Sequence, residues 1–177
     1  MPDPSAPAAS APTASAPTAS APSTLAWRCA AYADLSLDEL YALLQLRSRV
    51  FVVEQQCPFL EMDGDDDRAW HLLGWSVGAD GSPLLGAYAR LFAPGVKYAE
   101  ASVGRVVSHP EVRRNGAGRA LMAESLRRLE VIAPRAPVRI GAQKYLERFY
   151  ASFGFARAGD DYLEDGIVHL EMLRPGA

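Results

Sequence analysis

The sequence predicts an α/β (α+β) fold: a central mixed, mostly antiparallel sheet flanked by helices, in the order β-α-β-β-β-α-β-α-β. Three observations predict it. Residues 70–77, 84–92 and 101–108 are consecutive strand-like runs with short connections, the pattern of an antiparallel meander. Residues 34–55 and 116–133 instead space their apolar side chains for helices. Between the meander and the second helix, the stretch VGRVVSHPEVRRNGAGRALMAESLRRL (103–129) is a strand feeding a basic, glycine-containing turn that opens a helix.

Composition bounds the rest. The chain has 177 residues, 49% hydrophobic and 22% charged, which suits one folded domain with a real core. That domain is expected to span 25–177. Residues 1–24 are almost all Ala, Pro, Ser and Thr, with APTAS occurring twice, and read as a disordered tail. They have neither the basic start nor the apolar stretch of a secretory signal. A net charge of −3 gives no global pull toward nucleic acid. No apolar run approaches the ~20 residues of a membrane span. Cys29 and Cys57 are too few for a disulfide framework and are expected as reduced thiols in a cytoplasmic protein. Assembly into a homodimer is left open.

Taken in order, 25–32 is the first strand and 34–55 the first helix. Ser36 and Glu39 have capping-box spacing, and Leu37, Leu40, Leu44 and Phe51 are the expected apolar face. Arg47, Arg49, Glu54 and Gln55 are expected on a solvated face. Residues 57–68 form a loop crowded with Glu61, Asp63, Asp65, Asp66 and Asp67. Counted from Asp63, position six is Arg68 and position twelve Gly74, so an EF-hand fails and no metal is expected. The loop reads as solvated, or as an acidic lip drawing in a cationic amine. Strands 70–77 and 84–92 flank a turn with the Asp80-Gly81 hairpin signal. After the basic turn and its helix come a strand at 138–143, a helix at 145–153 and an extended piece at 155–158. A second acidic loop at 159–166 precedes the last strand, 168–173.

The basic turn is a ready anion site. The first amides of a helix lack internal partners and point outward, with the positive end of the macrodipole behind them. Gly116 and Gly118 let a bulky ligand approach the backbone. Arg113, Arg114 and Arg119 add positive charge, and a pyrophosphate is the natural guest. The Rossmann fingerprint fails because Leu121 stands where the third glycine belongs. A P-loop fails because Arg119-Ala120 follows Gly118. What fits is [QR]-x-x-G-x-[GA], as Arg113-Arg114-Asn115-Gly116-Ala117-Gly118.

That motif resembles the acyl-CoA loop of the GNAT N-acetyltransferase superfamily. The resemblance implies acetyl-CoA as co-substrate. It assigns Val106, Val107 and Ser108 to the pantetheine arm, and Arg113, Arg114, Asn115, Gly116, Ala117, Gly118 and Arg119 to the phosphates. It also makes the Val107 amide a candidate oxyanion donor. The run Phe149-Tyr150-Ala151-Ser152-Phe153-Gly154-Phe155 resembles the superfamily's late motif, which implies Tyr150 as the acid that protonates the departing thiolate. Gly154 doubles as the left-handed residue ending that helix. Where the family often has asparagine, this chain has Gln143. The stretch 46–55, LRSRVFVVEQ, and the acids before His71 resemble the ElaA-like branch. In that branch Glu54, Gln55 and the acidic loop, Asp63 included, are expected on the acceptor side.

The implied reaction is direct attack of a primary amine on the thioester. Its ammonium, with an ordinary pKa near ~10, must lose a proton. Glu54 and His71 are the candidate bases, with a water relay as a third option. Arg105, mid-strand between Val103 and Val107, needs a partner or an opening to a cleft. The acceptor is expected to be a small-molecule or peptide amine. An acyl-CoA-binding module without turnover, and an ATP-binding protein, are the competing readings.

Overall fold

The computed structural model describes residues 25–176; the tail at 1–24 lies outside the described residues. Seven strands form one sheet: β1 (Ala26–Ala31), β2 (Trp70–Val77), β3 (Pro83–Phe92), β4 (Ala101–Ser108), β5 (Val138–Gln143), β6 (Ala156–Glu164) and β7 (Ile167–Arg174). Their spatial order is β1-β2-β3-β4-β5-β7-β6. Every neighbouring pair is antiparallel except β4 with β5. The helices are α1 (Leu37–Arg47), α2 (Ala117–Ile132) and α3 (Glu147–Ala151). The expected class holds, with one strand more than the sequence indicated.

The two long helices cover opposite faces, and the period-2 alternation of the strands serves both. Leu72, Ala87, Ala89 and Leu91 pack with Leu121, Met122 and Leu129 of α2. Leu73, Leu85, Tyr88 and Val107 point the other way, against Leu43, Leu46 and Val50. Burying this apolar surface at ~25 cal/mol per Å² is what holds the layers together.

Helix α1 begins as expected. Ser36 Oγ accepts from the Glu39 amide at 3.1 Å, and Glu39 returns the favour to the Ser36 amide at 2.9 Å. Its inward face is the expected one only in part: Leu40, Leu44 and Phe51 pack half-buried against the core, but Leu37 is 85% exposed and Leu43, Leu46, Arg47 and Val50 are the buried residues. A charged arginine in the middle of the stripe hid the period. The β-branched run that follows suits a regular α-helix poorly. Ser48–Glu54 winds as a wider π-helical coil, with the Gln55 amide donating to the Val50 carbonyl at 2.9 Å. The extra residue per turn re-aims the helix end.

The stretch 159–166 is not a loop. It belongs to β6 and to the tight turn into β7, where Asp165 (φ 48°) and Gly166 (φ 79°) are both left-handed. That is the turn an Asp-Gly pair favours between antiparallel strands. The helix expected at 145–153 is shorter, a 3₁₀ turn over Lys144–Leu146 and then α3.

The sheet opens at its centre. β4 and β5 pair only through Ala101–Val138 and Ser102–Arg139. Beyond Ser102 they diverge. On its other side, β4 spends the steps from Val107 to Gly104 against the shorter Tyr88–Arg90 of β3, with Arg105 at φ 49°. One extra residue of this kind bends and twists its strand. The β5-facing backbone of the rest of β4 has no sheet partner among the described residues.

Candidate active site

The opening is a cleft of about 490 Å³. β4 supplies Val103–Val106, β5 supplies Gly141 and Gln143, the π-helical coil supplies Phe51, and α3 supplies Tyr150. The β6–β7 hairpin closes one end with Tyr162, Glu164, Asp165 and His169.

β4 leads on from the cleft into the basic turn. The α2 helix starts at Ala117, and Gly116 before it is left-handed (φ 82°), a conformation that favours glycine. A Cβ added at Gly116 or Gly118 would meet nothing within 4 Å, so the backbone is bare toward solvent. The Ala120 amide is the first to bond back, to the Gly116 carbonyl at 3.0 Å. The amides before it are left for a ligand. Arg119 donates to Ser152 Oγ at 3.1 Å and lies 5.0 Å from the Phe153 ring centre, which ties the loop to α3. Arg113 donates to the Ser108 carbonyl at 3.0 Å and grips Glu54 with both terminal nitrogens, at 2.5 and 3.0 Å. Arg114 is exposed. Bare amides, three arginines and the β5-facing edge of β4 at Val106 and Ser108 fit a long ligand with an amide-bearing arm and a pyrophosphate; Val107, expected to share that role, instead pairs with Tyr88 of β3.

Tyr150 is 7% exposed and faces the cleft. Burial, with Tyr145 adding a little, pushes its hydroxyl up to about 12. It is therefore protonated at neutral pH and able to donate. Phe149 and Phe155 hold the ring edge-on at 5.1 and 6.1 Å, and Gly154 (φ 87°) ends α3 in the left-handed conformation. Gln143 donates to Gln55 at 3.3 Å, so the chain brings these two expected acceptor-side residues together across the cleft.

The expected bases are elsewhere. Glu54 stands outside the cleft, and its bond to Arg113 holds its carboxyl below the usual range. His71 is fully buried. Its Nε2 must carry the proton, because it bonds the Asp66 carbonyl at 3.0 Å. Its Nδ1 then accepts from the Tyr88 hydroxyl at 2.8 Å. No lone pair is left for an amine, and burial lowers its basicity further. His71 is a framework residue.

The loop 57–68 is also corrected. Asp65 and Asp67 stay on the solvent side, Asp65 with the exposed Lys97 and Arg68, but Glu61, Asp63 and Asp66 are half of a largely buried ion network. Arg47, fully buried, donates to Glu61 Oε1 and Asp66 Oδ1 at 2.6 Å each, and to the Glu61 carbonyl at 2.9 Å. Arg90 grips both oxygens of Asp63 at 2.7 Å. Arg105 reaches Glu61 Oε1 at 3.0 Å and Asp63 at 3.3 Å. Three guanidinium groups thus balance three carboxylates, as charges removed from water require. Burial works against the Asp63 carboxylate, but the Arg90 guanidinium outweighs it and holds the carboxyl well below the usual range. Asp63 lines the cleft with its oxygens already claimed.

Comparison with known proteins agrees with this geometry. A family profile described as Acetyltransferase (GNAT) domain matches residues 89–174. Protein ElaA of Escherichia coli strain K12 is 40% identical over 153 residues, covering 85% of this chain and 96% of ElaA. The chain belongs to the ElaA-like branch of the GNAT acetyltransferases. An acyl-CoA N-acyltransferase of Pseudomonas aeruginosa superposes with a TM-score of 0.78 at 44% identity, covering 85% of this chain and 99% of that one. The crystal structure of E. coli ElaA gives 0.75 at 40% identity, with the same coverages.

Within this GNAT domain, sequence reasoning placed β7 at 168–173 but missed β6 and so the hairpin wall of the cleft. The signal was Asp165-Gly166. Read as a turn, it pairs Tyr162 with His169, and β7 then sets His169 opposite Gln143. Tyr98 was missed as well. Its hydroxyl and that of Tyr162 converge over Gly141, where a Cβ would stand 3.6 and 2.8 Å from them.

Proposed function

We propose that this chain is an N-acetyltransferase that moves the acetyl group of acetyl-CoA to a primary amine by direct attack, with both substrates bound. The family supports acyl-CoA-dependent N-acyl transfer; acetyl as the group, and the roles below, are our reading. The observation that carries it is the protonated Tyr150 hydroxyl at the opening between β4 and β5, reached along unpaired β4 backbone from a bare-amide anion loop.

The bound thioester supplies an activated acyl carbon and a thiol leaving group. The chain does the rest. The amides at the start of α2 and the arginines hold the pyrophosphate. Val106 and Ser108 align the arm by backbone bonds. Tyr150 gives its proton to the sulfur. Gln55 and Gln143 orient the acceptor. Glu164 and Asp165, at the hairpin end of the cleft, attract its positive charge.

The test is thiol release from acetyl-CoA in the presence of polyamines, amino acids, aminoglycosides and short peptides, with CoA affinity measured in parallel. Amine-dependent release is the expected result. Tight CoA binding without release on any amine would favour a binding module, and absence of CoA binding would remove the anion-loop assignment.

A further inference from the structure

The mechanism above lacks a base. His71 and Glu54 are already engaged, and the cleft carboxylates Glu164 and Asp165 are of a type ordinarily far more acidic than an ammonium's partner should be. His169 is different. It sits on β7 in the cleft wall, directly opposite Gln143 of β5. Its Nδ1 lies 2.9 Å from the Ile167 carbonyl. A carbonyl can only accept, so Nδ1 carries the proton and the lone pair is on Nε2. The ring stacks on Tyr162 at 5.8 Å and 27°, which fixes its plane. Nε2 has no hydrogen-bond partner among the described residues.

We propose that His169 Nε2 is the general base that takes the proton from the acceptor ammonium in the cleft beside Gln143. This rests on the transferase reading above. The step balances as follows. The ammonium loses one proton to Nε2, which releases it to solvent. The neutral amine forms the C–N bond to the acyl carbon as the C–S bond breaks. The sulfur takes the Tyr150 proton, and the second proton of the attacking nitrogen restores the Tyr150 hydroxyl.

The other charged and titratable groups around His169 are named by element. β6 and its turn bring Tyr162, Glu164 and Asp165, and the connection before β4 brings Tyr98 and Lys97. β7 itself carries Glu171, which is held by Arg139 of β5 at 2.7 Å. The 3₁₀ turn after β5 brings Tyr145, and deeper in the cleft lie Asp63, Arg90 and Arg105, bonded to one another or to Glu61. An imidazole with one bare nitrogen can accept a proton there and pass it on.

The experiment compares wild type with His169→Asn and His169→Gln. Thiol release from acetyl-CoA is followed from acid to strongly basic pH on spermidine, lysine, kanamycin and a trialanine peptide. Near neutrality each variant is expected to lose about 10²-fold or more in kcat/KM. The defect should shrink as pH rises toward the amine's own pKa, near ~10, where the acceptor needs no base. CoA affinity should not change. A second readout needs no turnover: nitrogen-15 imidazole spectra of the wild type, with the His169 signals assigned by their loss in the variants. These are expected to show Nδ1 protonated and Nε2 bare. Two results overturn the proposal alone: an Nε2-protonated tautomer, or wild-type release matched by both variants at every pH. No release by wild type on any amine overturns the transferase reading and takes the proposal with it.

Discussion

Residues 57–68 and 159–166 look alike in the sequence, each a short acid-rich stretch a few residues before a histidine, yet they do opposite things. In the first, Arg47, Arg90 and Arg105 reach out from α1 and the central strands and draw Glu61, Asp63 and Asp66 into the protein. In the second, Asp161 meets only the exposed Lys144 and Arg157, and Glu164 and Asp165 stay exposed at the cleft. The histidines follow suit. His71 is sealed under the network with both nitrogens bonded, while His169 keeps one nitrogen bare. Local composition is the same; what decides is which cations the fold brings underneath.

The largest effect should come from breaking the buried side. Arg47→Met leaves Glu61 and Asp66 short of a partner, and the expected loss is about 3–5 kcal/mol, read from the denaturant midpoint. Glu164→Gln, on the exposed side, should stay within about 0.5 kcal/mol. If the two cost the same, the contrast is wrong.

Acid should separate the regions next. The Asp63 carboxyl is held below its ordinary value in the folded chain. Its contribution is thus present above about pH 4 and is lost as pH falls through the lower folded value. Asp63→Asn should be less stable at neutral pH and should lose stability less steeply below about pH 4. Parallel curves for the two proteins would contradict the account.

Smaller effects sharpen the hairpin's role. Glu164→Gln combined with Asp165→Asn should raise KM for a cationic amine about 2–5-fold, the scale of ~0.5–1 kcal/mol for exposed charges. CoA affinity should be unchanged, and the effect should fade with salt. Smallest of all, Glu54→Gln should leave the pH dependence of turnover unaltered, because that carboxylate is committed to Arg113.

Much of the fold was legible because local chemistry announced it. The Ser36–Glu39 capping box, the β-branched runs of the meander and the Gly116 turn are each decided within a few residues. The left-handed Gly116 before α2 and the cleft-facing position of Tyr150 follow from local signals in the same way. The rest depends on partners far away in the chain. The inward arginine Arg47 masked the buried stripe of α1, because its carboxylate partners lie 14 and 19 residues on. Asp165-Gly166 carries the same turn signal as Asp80-Gly81, but the acids before it hid a strand. His169 became visible as a site residue only once that strand was placed beside β7.

The most direct test of the cleft as a transfer site is Tyr150→Phe. Amine-dependent thiol release is measured at saturating acetyl-CoA, with CoA affinity measured calorimetrically on the same protein. The account predicts release lowered about 10²–10⁴-fold with CoA affinity unchanged. Release equal to wild type would show that the hydroxyl pushed up to about 12 in this cleft is not the acid.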